Sequence, residues 1–255
     1  MLNLINEEMI LNLIEWINKK MDESGGKKAV IGISGGKDST VTAALLVRAL
    51  GKENVIGVLM PNKTQSDIKY AYEVCEYLDI EFIESNIVNI YNEFYNNLEN
   101  AKGVLYEEIS EKTKLNLPPR IRMTLLYAIS QSVPNARVIN TGNLSERWIG
   151  YTTLYGDNTG AFAPLGEFTS NEVIEIGRLL NIPDKFIYKT PADGLTGNTD
   201  EEVIGFSYNV LNNYIRTGEI EDKNIKNKID NLHSYNQFKF KSIPTFNNYL
   251  PRIIK

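Results

Sequence analysis

Residues 29–33 read Ala-Val-Ile-Gly-Ile, an apolar run without polar alternation, and they lead directly into Ser34-Gly35-Gly36-Lys37-Asp38-Ser39. A strand with one wet face alternates apolar and polar residues, whereas a strand covered on both faces does not. The run therefore predicts a central strand with helices packed on both sides of its sheet. The rest of the chain agrees. Val41, Ala44, Leu45 and Val47 recur at helical spacing from about Asp38, and Gly51 stops that helix. Residues 54–60 and 81–83 read as strands, separated by a helix over 66–78 that Ser66 can cap. A helix over 120–132, a strand over 137–141 and a helix over 169–180 stopped at Pro183 continue the alternation. This pattern predicts an α/β fold, a doubly wound open parallel sheet of Rossmann-like type with helices on both faces. Ligands on such sheets bind beyond the carboxyl ends of the strands, where residues 34–39, 61–67 and 141–146 all fall.

The remaining segments are expected to belong to one domain over 1–255. Leu4, Ile5, Met9, Leu13, Trp16 and Ile17 place an amphipathic helix over about 1–20, and Glu7, Glu8 and Glu15 among them are unlike a signal peptide. Residues 184–200 hold glycine breaks at Gly194 and Gly197 and few apolar residues, which predicts a flap. The tail over 222–255 is rich in Asn and Lys and weakly patterned. No apolar run approaches the ~18 residues of a membrane-crossing helix. A net charge of −5 gives no electrostatic footprint for nucleic acid. The single cysteine, Cys75, excludes an internal disulfide framework and reads as a buried thiol within a helix. His233, the only histidine, reads as a surface or supporting residue rather than a lone metal ligand. Both features suit a reducing cytoplasm.

Strand, Gly-rich turn and helix together build an anion site. Glycines let backbone N–H groups close around a phosphate, and the helix that follows aims its positive end at the same point. Ser34 and Ser39 add hydroxyl donors. Asp38 is an acid where a lone acid would repel phosphate, and its presence is explained if it holds Mg²⁺ against the phosphate oxygens. The loop is not a Walker A motif, because the position five residues before Gly36 is Ile31. A γ-phosphate kinase is thereby disfavoured.

Ser34-Gly35-Gly36-Lys37-Asp38-Ser39 resembles the pyrophosphate loop of the adenylate-forming ATP pyrophosphatases, whose fold is adenine nucleotide alpha-hydrolase-like. More narrowly, nearly the whole chain resembles ammonia-dependent NAD synthetase. The resemblance is carried by AVIGISGGKDST, VLMPNKTQSD, NLPPRIRMTLLYA, NTGNLSERWIGYTTLYGD, PLGEFTSNEV and GNTDEEVIGFSYNVLNNYI. The most specific part is Thr141-Gly142-Asn143-Leu144-Ser145-Glu146 followed by Tyr155-Gly156-Asp157. The resemblance implies ATP contacts from Gly32, Ile33, Ser34, Gly35, Gly36, Lys37, Asp38, Ser39 and Thr141, with Mg²⁺ held by Asp38 and Glu146. It implies that Asp157 lies beside the reacting carboxylate and ammonia, and that Arg122 and Lys239 contact the dinucleotide. The activity implied is amidation of deamido-NAD by ammonia through an adenylated carboxylate, in a homodimer. No glutamine-hydrolysing half is expected, so ammonia is free or comes from a separate protein.

The chain also departs from better-known members of that family. Ser170 stands where they carry a lysine, Leu154 where they often carry lysine, Ala161 where they have aspartate, and Ala192 where they have serine or threonine. Phe238-Lys239 replaces a His-Lys pair. These differences leave open another adenylate-forming ligase acting on a different acid, or a nucleotide-binding sensor without turnover.

Overall fold

The computed structural model describes residues 5–63, 68–188 and 199–246. Strands β1 (Lys28–Gly32), β2 (Val55–Leu59), β3 (Glu81–Glu84) and β4 (Ala136–Val138) form one sheet in the order β3-β2-β1-β4, with every pair parallel. The chain steps outward from β1 to β3, then crosses back to place β4 on the other side of β1. The strand order therefore reverses beside β1, which opens the crevice where ligands of such sheets sit.

Helices α1 (Glu7–Glu23), α2 (Lys37–Leu50), α3 (Ile68–Leu78), α7 (Ser170–Leu179) and α8 (Asp184–Ile187) cover one face around Ile31, Leu45, Val74, Ile176 and Phe186. Helices α4 (Val88–Glu99) and α5 (Glu111–Ser132) cover the other, around Val30, Val58, Ile121, Leu126 and Val138. Val30 and Ile31 are neighbours in sequence, belong to opposite cores, and are both 0% exposed. Each such side chain contributes about 1.5–3 kcal/mol by leaving water, so the apolar run pins β1 at the centre. A third cluster, built from Ile149, Ile204, Phe206, Tyr208, Leu211 and Ile229, joins α6 (Leu144–Ile149), α9 (Asp200–Ile204), α10 (Tyr208–Thr217) and α11 (Lys223–Asn236) beyond the sheet. No helix among the described residues is long and apolar enough to cross a membrane.

Several boundaries differ from the sequence reading. The helix expected over 120–132 begins at Glu111, capped by Ser110, and runs through Pro118 and Pro119. Prolines remove intrahelical donors and locally end a helix. Here Pro118 is buried and Pro119 packs so close to Gly156 that a Cβ there would sit 3.0 Å from its own Cβ, so tertiary packing outweighs the local signal. The weakly patterned tail contains α11, capped by Asp222, whose Ile225, Ile229 and Leu232 make a narrow stripe diluted by Asn and Lys. The expected flap over 184–200 begins instead as α8, with Phe186 and Ile187 in the core; Pro183 starts this helix. Residues 189–198, including Ala192, lie outside the described residues, as does Ser66. After the residues that are not described, a capping box in which Thr199 and Glu202 exchange bonds starts α9.

Candidate active site

The Gly-rich turn lies at the carboxyl end of β1. Ile33 still donates to Val58 O at 3.0 Å, so the sheet holds the turn's entry. Gly35 has φ +75°, and a Cβ there would stand 2.7 Å from Tyr70 Cβ and 2.8 Å from the Ala71 backbone N. Glycine is required twice over, by handedness and by the close passage of α3. Gly36 is unlike Gly35. Its φ is −89° and ψ 164°, and it is the N-cap of α2 with no side chain capping the helix. The N–H groups of the first turn of α2 are thus left uncovered by a capping side chain, beside hydroxyls that are already ordered. Ser34 Oγ lies 3.1 Å from Ser39 Oγ and accepts from Gly36 N–H at 3.2 Å. Such an arrangement binds an oxyanion.

The two acids meet next to this turn. Asp38 accepts from Lys37 Nζ at 2.7 Å on one oxygen and from Asn143 Nδ2 at 3.0 Å on the other. Asn143 also starts α6 with a capping box. Its backbone N–H donates to Glu146 Oε2 at 3.1 Å, and its Oδ1 accepts from Glu146 N–H at 3.1 Å. One asparagine therefore spans from the turn after β1 to the helix after β4 and holds both carboxylates. Burial and the charge of Asp38 lift the Glu146 carboxyl to about 8, against the pull of Lys37. Burial draws the Lys37 ammonium down, but Asp38, Glu146 and Asp200 together hold it above its ordinary range. Lys37 is an ammonium that the two acids share. Mg²⁺ sites commonly use one or two carboxylates and complete the shell with phosphate and water. The pair fits that use, and no cluster of three or more acid, His or Cys ligands exists among the described residues.

A second group lies beyond it on the turn over 152–159. Asp157 accepts from Thr153 N–H at 2.6 Å and from Thr152 Oγ1 at 2.9 Å. It keeps an exposed edge, yet the protein packed around it desolvates the carboxyl and raises it, while those donors and Lys239 lower it. Lys239, in the 3-10 turn Gln237–Phe240, donates to Gly150 O at 2.7 Å and Thr152 O at 3.0 Å. Arg122 donates from Nε to Met60 O at 2.9 Å, just past β2; burial lowers its guanidinium and Asp157 raises it. Asp157 thus stands in the field of both predicted substrate-contacting cations. Asn140 fixes this turn to the end of β4. Its Nδ2 donates to Asp157 O at 2.8 Å and Thr159 O at 3.0 Å, and its Oδ1 accepts from Gly142 N–H at 2.9 Å. Thr141 lies between these anchored residues. Asn140 and Asn143 lie in a segment that carries the resemblance, but the sequence reading gave neither a role. The Asn143…Glu146 spacing is an asparagine capping box, a signal that was there to read.

Of the departures, Ser170 has a structural account. Ser170 points into the interior, where its N–H donates to Ser145 Oγ at 2.9 Å and its Oγ accepts from Asn212 Nδ2 at 3.0 Å; Ser145 Oγ donates to Asn212 Oδ1 at 2.5 Å. This buried triad ties α6, α7 and α10 together. Leu154 offers its carbonyl to Arg120 Nε at 3.1 Å, and Phe238 is exposed. His233 is a support for α6, its ring 4.2 Å from the Trp148 ring and its Nδ1 2.8 Å from Trp148 O. Cys75 is fully buried, and burial pushes its thiol up to about 12; it is no nucleophile.

Comparison with known proteins shows which family the chain is similar to. Residues 9–248 match the family described as NAD synthase. The NH(3)-dependent NAD(+) synthetase of Thermococcus sibiricus is 40% identical over 205 residues, 80% of this chain and 78% of that one. Among solved structures, NMN synthetase from Francisella tularensis superposes with a TM-score of 0.85 at 29% identity, covering 94% of this chain and 98% of that one. The NH3-dependent NAD synthetase from Campylobacter jejuni gives 0.76 at 30% identity, covering 94% and 99%. With a Gly-rich turn at the strand-order reversal, two acids held together beside it and this coverage, the chain belongs to the NAD synthase family.

Proposed function

We propose that this protein amidates deamido-NAD with ammonia at the expense of ATP, releasing NAD, AMP and pyrophosphate. The observation that carries the reading is the bridging of Asp38 and Glu146 by Asn143 beside the uncapped start of α2. ATP's β and γ phosphates sit on the turn over 34–39, and Thr141 meets the nucleotide. Arg122 and Lys239 hold the dinucleotide so that its nicotinate carboxylate faces the α-phosphate. A carboxylate oxygen bonds to that phosphorus and the bond to the departing pyrophosphate breaks. Ammonia then adds to the activated carbonyl, AMP leaves, and Asp157 receives the surplus proton. Mg²⁺ on Asp38 and Glu146 would neutralise the charge that gathers on the leaving pyrophosphate. The chain's own work is placement and charge compensation. Mass spectrometry of a mixture of protein, ATP, Mg²⁺, ammonium and deamido-NAD is expected to show AMP and NAD in equal amounts. Formation of ADP, or AMP without NAD, would refute the reading.

One observation favours a second substrate. The TM-score to the NMN synthetase exceeds that to the NAD synthetase, at nearly equal identity. If NMN is made by the same amidation chemistry, the acid used would be the carboxylate counterpart of NMN, a mononucleotide rather than a dinucleotide. Competition between the two acids decides: the first reading expects kcat/KM at least about tenfold higher for deamido-NAD, a difference of about 1.4 kcal/mol.

The homodimer has its own support. Ile90 and Phe94 of α4 are 41% and 52% exposed, and Val104 and Leu105 are 82% and 78% exposed between α4 and α5. Exposed large apolar side chains in one stretch of chain are the kind of surface that a protein contact covers. Light scattering is expected to give twice the 28.9 kDa chain mass, and a value of one chain mass would remove this face from that role. A cytoplasmic setting accords with the thiol of Cys75 staying free.

A further inference from the structure

Tyr208 is the first residue of α10. It is 8% exposed, and its hydroxyl is buried without a hydrogen-bond partner. Its backbone is firmly placed, since Ser207 caps the helix and Tyr208 N–H donates to Glu201 Oε1 at 2.7 Å. Asn212 follows one turn later on the same face of α10. Through its bonds to Ser145, that face lies against the first turn of α6, beside Glu146. The ring packs in the cluster around Ile149, Ile204 and Leu211, and its polar end lies within the reach of the charges of Glu146, Asp200 and Asp38. Burial and those carboxylates hold the phenol proton on, so the hydroxyl has a hydrogen bond to donate. A buried donor that finds no acceptor in its own protein costs stability, about as much as a hydrogen bond contributes or more. Such a group, fixed at the edge of an anion cradle, has an acceptor when the anion arrives.

We infer that the Tyr208 hydroxyl is a nucleotide-binding group, donating a hydrogen bond to a phosphate oxygen of ATP and of the pyrophosphate it releases. This assignment rests on the ATP-cleaving reading above and extends it. It gives α10 a direct part in the site. It also supplies a phosphate donor in a chain whose Ser170, in place of a lysine, is committed to the interior triad.

The test is Tyr208→Phe, which keeps the ring and its packing and removes only the hydroxyl. Calorimetric titration with Mg²⁺-pyrophosphate is expected to show affinity weakened about ten- to hundredfold, the range for a hydrogen bond to a charged acceptor, while AMP binds as before. The ligand-free variant should melt at the same temperature as the parent or about 2–4 °C higher, because an unpartnered buried hydroxyl has gone. A merely structural tyrosine would show the reverse, a lower melting temperature with unchanged pyrophosphate affinity, and that result overturns the inference. Should the variant fold poorly, 3-fluorotyrosine placed at 208 in the parent chain gives a second readout. Its ¹⁹F resonance must move on adding Mg²⁺-pyrophosphate, and a resonance that stays still overturns the inference as well. If the parent itself binds neither pyrophosphate nor ATP, the ATP-cleaving reading has failed rather than this residue's part in it.

Discussion

Asp38→Asn is expected to lower the rate of pyrophosphate release by at least about 10²–10³-fold, the loss typical when one preorganised charge-stabilising group is removed. Asp38 accepts on both oxygens, from Lys37 Nζ and from Asn143 Nδ2. An asparagine can satisfy only one of these donors. Whichever way its amide turns, its NH₂ faces another donor, either the Lys37 ammonium or the Asn143 amide. The variant also leaves Glu146 as the single acid for Mg²⁺. Its fold should survive, because Asp38 lies at the partly exposed start of α2 while the buried positions of that helix are untouched. The check is a coupled pyrophosphate assay alongside circular dichroism: native helix content with lost turnover is the expected pair. Turnover near the parental rate would remove Asp38 from the metal role.

Gly35→Ala should do damage of a different kind, to stability and binding together. At φ +75° an alanine meets the steric cost of the left-handed region, about 1–2 kcal/mol. Its methyl would also fall 2.7 Å from Tyr70 Cβ and 2.8 Å from the Ala71 backbone N. Neither is the yielding end of a long side chain, so α3 or the turn must shift, adding roughly 1–3 kcal/mol. The total, about 2–5 kcal/mol, is a large part of a domain's whole stability. Urea denaturation should show the midpoint fall, and ATP binding should fall with it because the shifted turn no longer presents its N–H groups. A variant with parental midpoint and parental ATP affinity would show that the tight passage of α3 is not required.

How far the sequence spoke depended on how local the cause was. β1 was legible because burial on both faces writes itself as an unbroken apolar run, and Val30 and Ile31 do lie in opposite cores. The turn over 34–39 was legible as a strand–turn–helix junction because Ser34-Gly35-Gly36 follows the apolar run directly and Asp38 lies in the first turn of the helix that comes next. The first half of α5 was illegible because Pro118 and Pro119 break helices locally, and only packing against a neighbour such as Gly156 reveals that they are tolerated. Helix α11 was obscured by its Asn and Lys content, and α8 by its brevity. The link from Asp38 through Asn143 to Glu146 joins residues 105 apart, a contact that no local pattern contains. The same holds for Asp157 with Lys239 and Arg122, which come together only through the folded turn over 152–159. Ser170 could be flagged as a departure but not explained until its bonds to Ser145 and Asn212 were visible.

The central claim is that ATP is cut between its α and β phosphates by a carboxylate oxygen, with the two outer phosphates leaving from the Gly-rich turn. Deamido-NAD labelled with ¹⁸O in its nicotinate carboxylate, incubated with the protein, ATP, Mg²⁺ and ammonium, tests it directly. One ¹⁸O is expected in the phosphate of AMP for each NAD formed, with the other retained in the amide and none in pyrophosphate. Label in pyrophosphate or inorganic phosphate, or NAD formed with unlabelled AMP, would contradict the account.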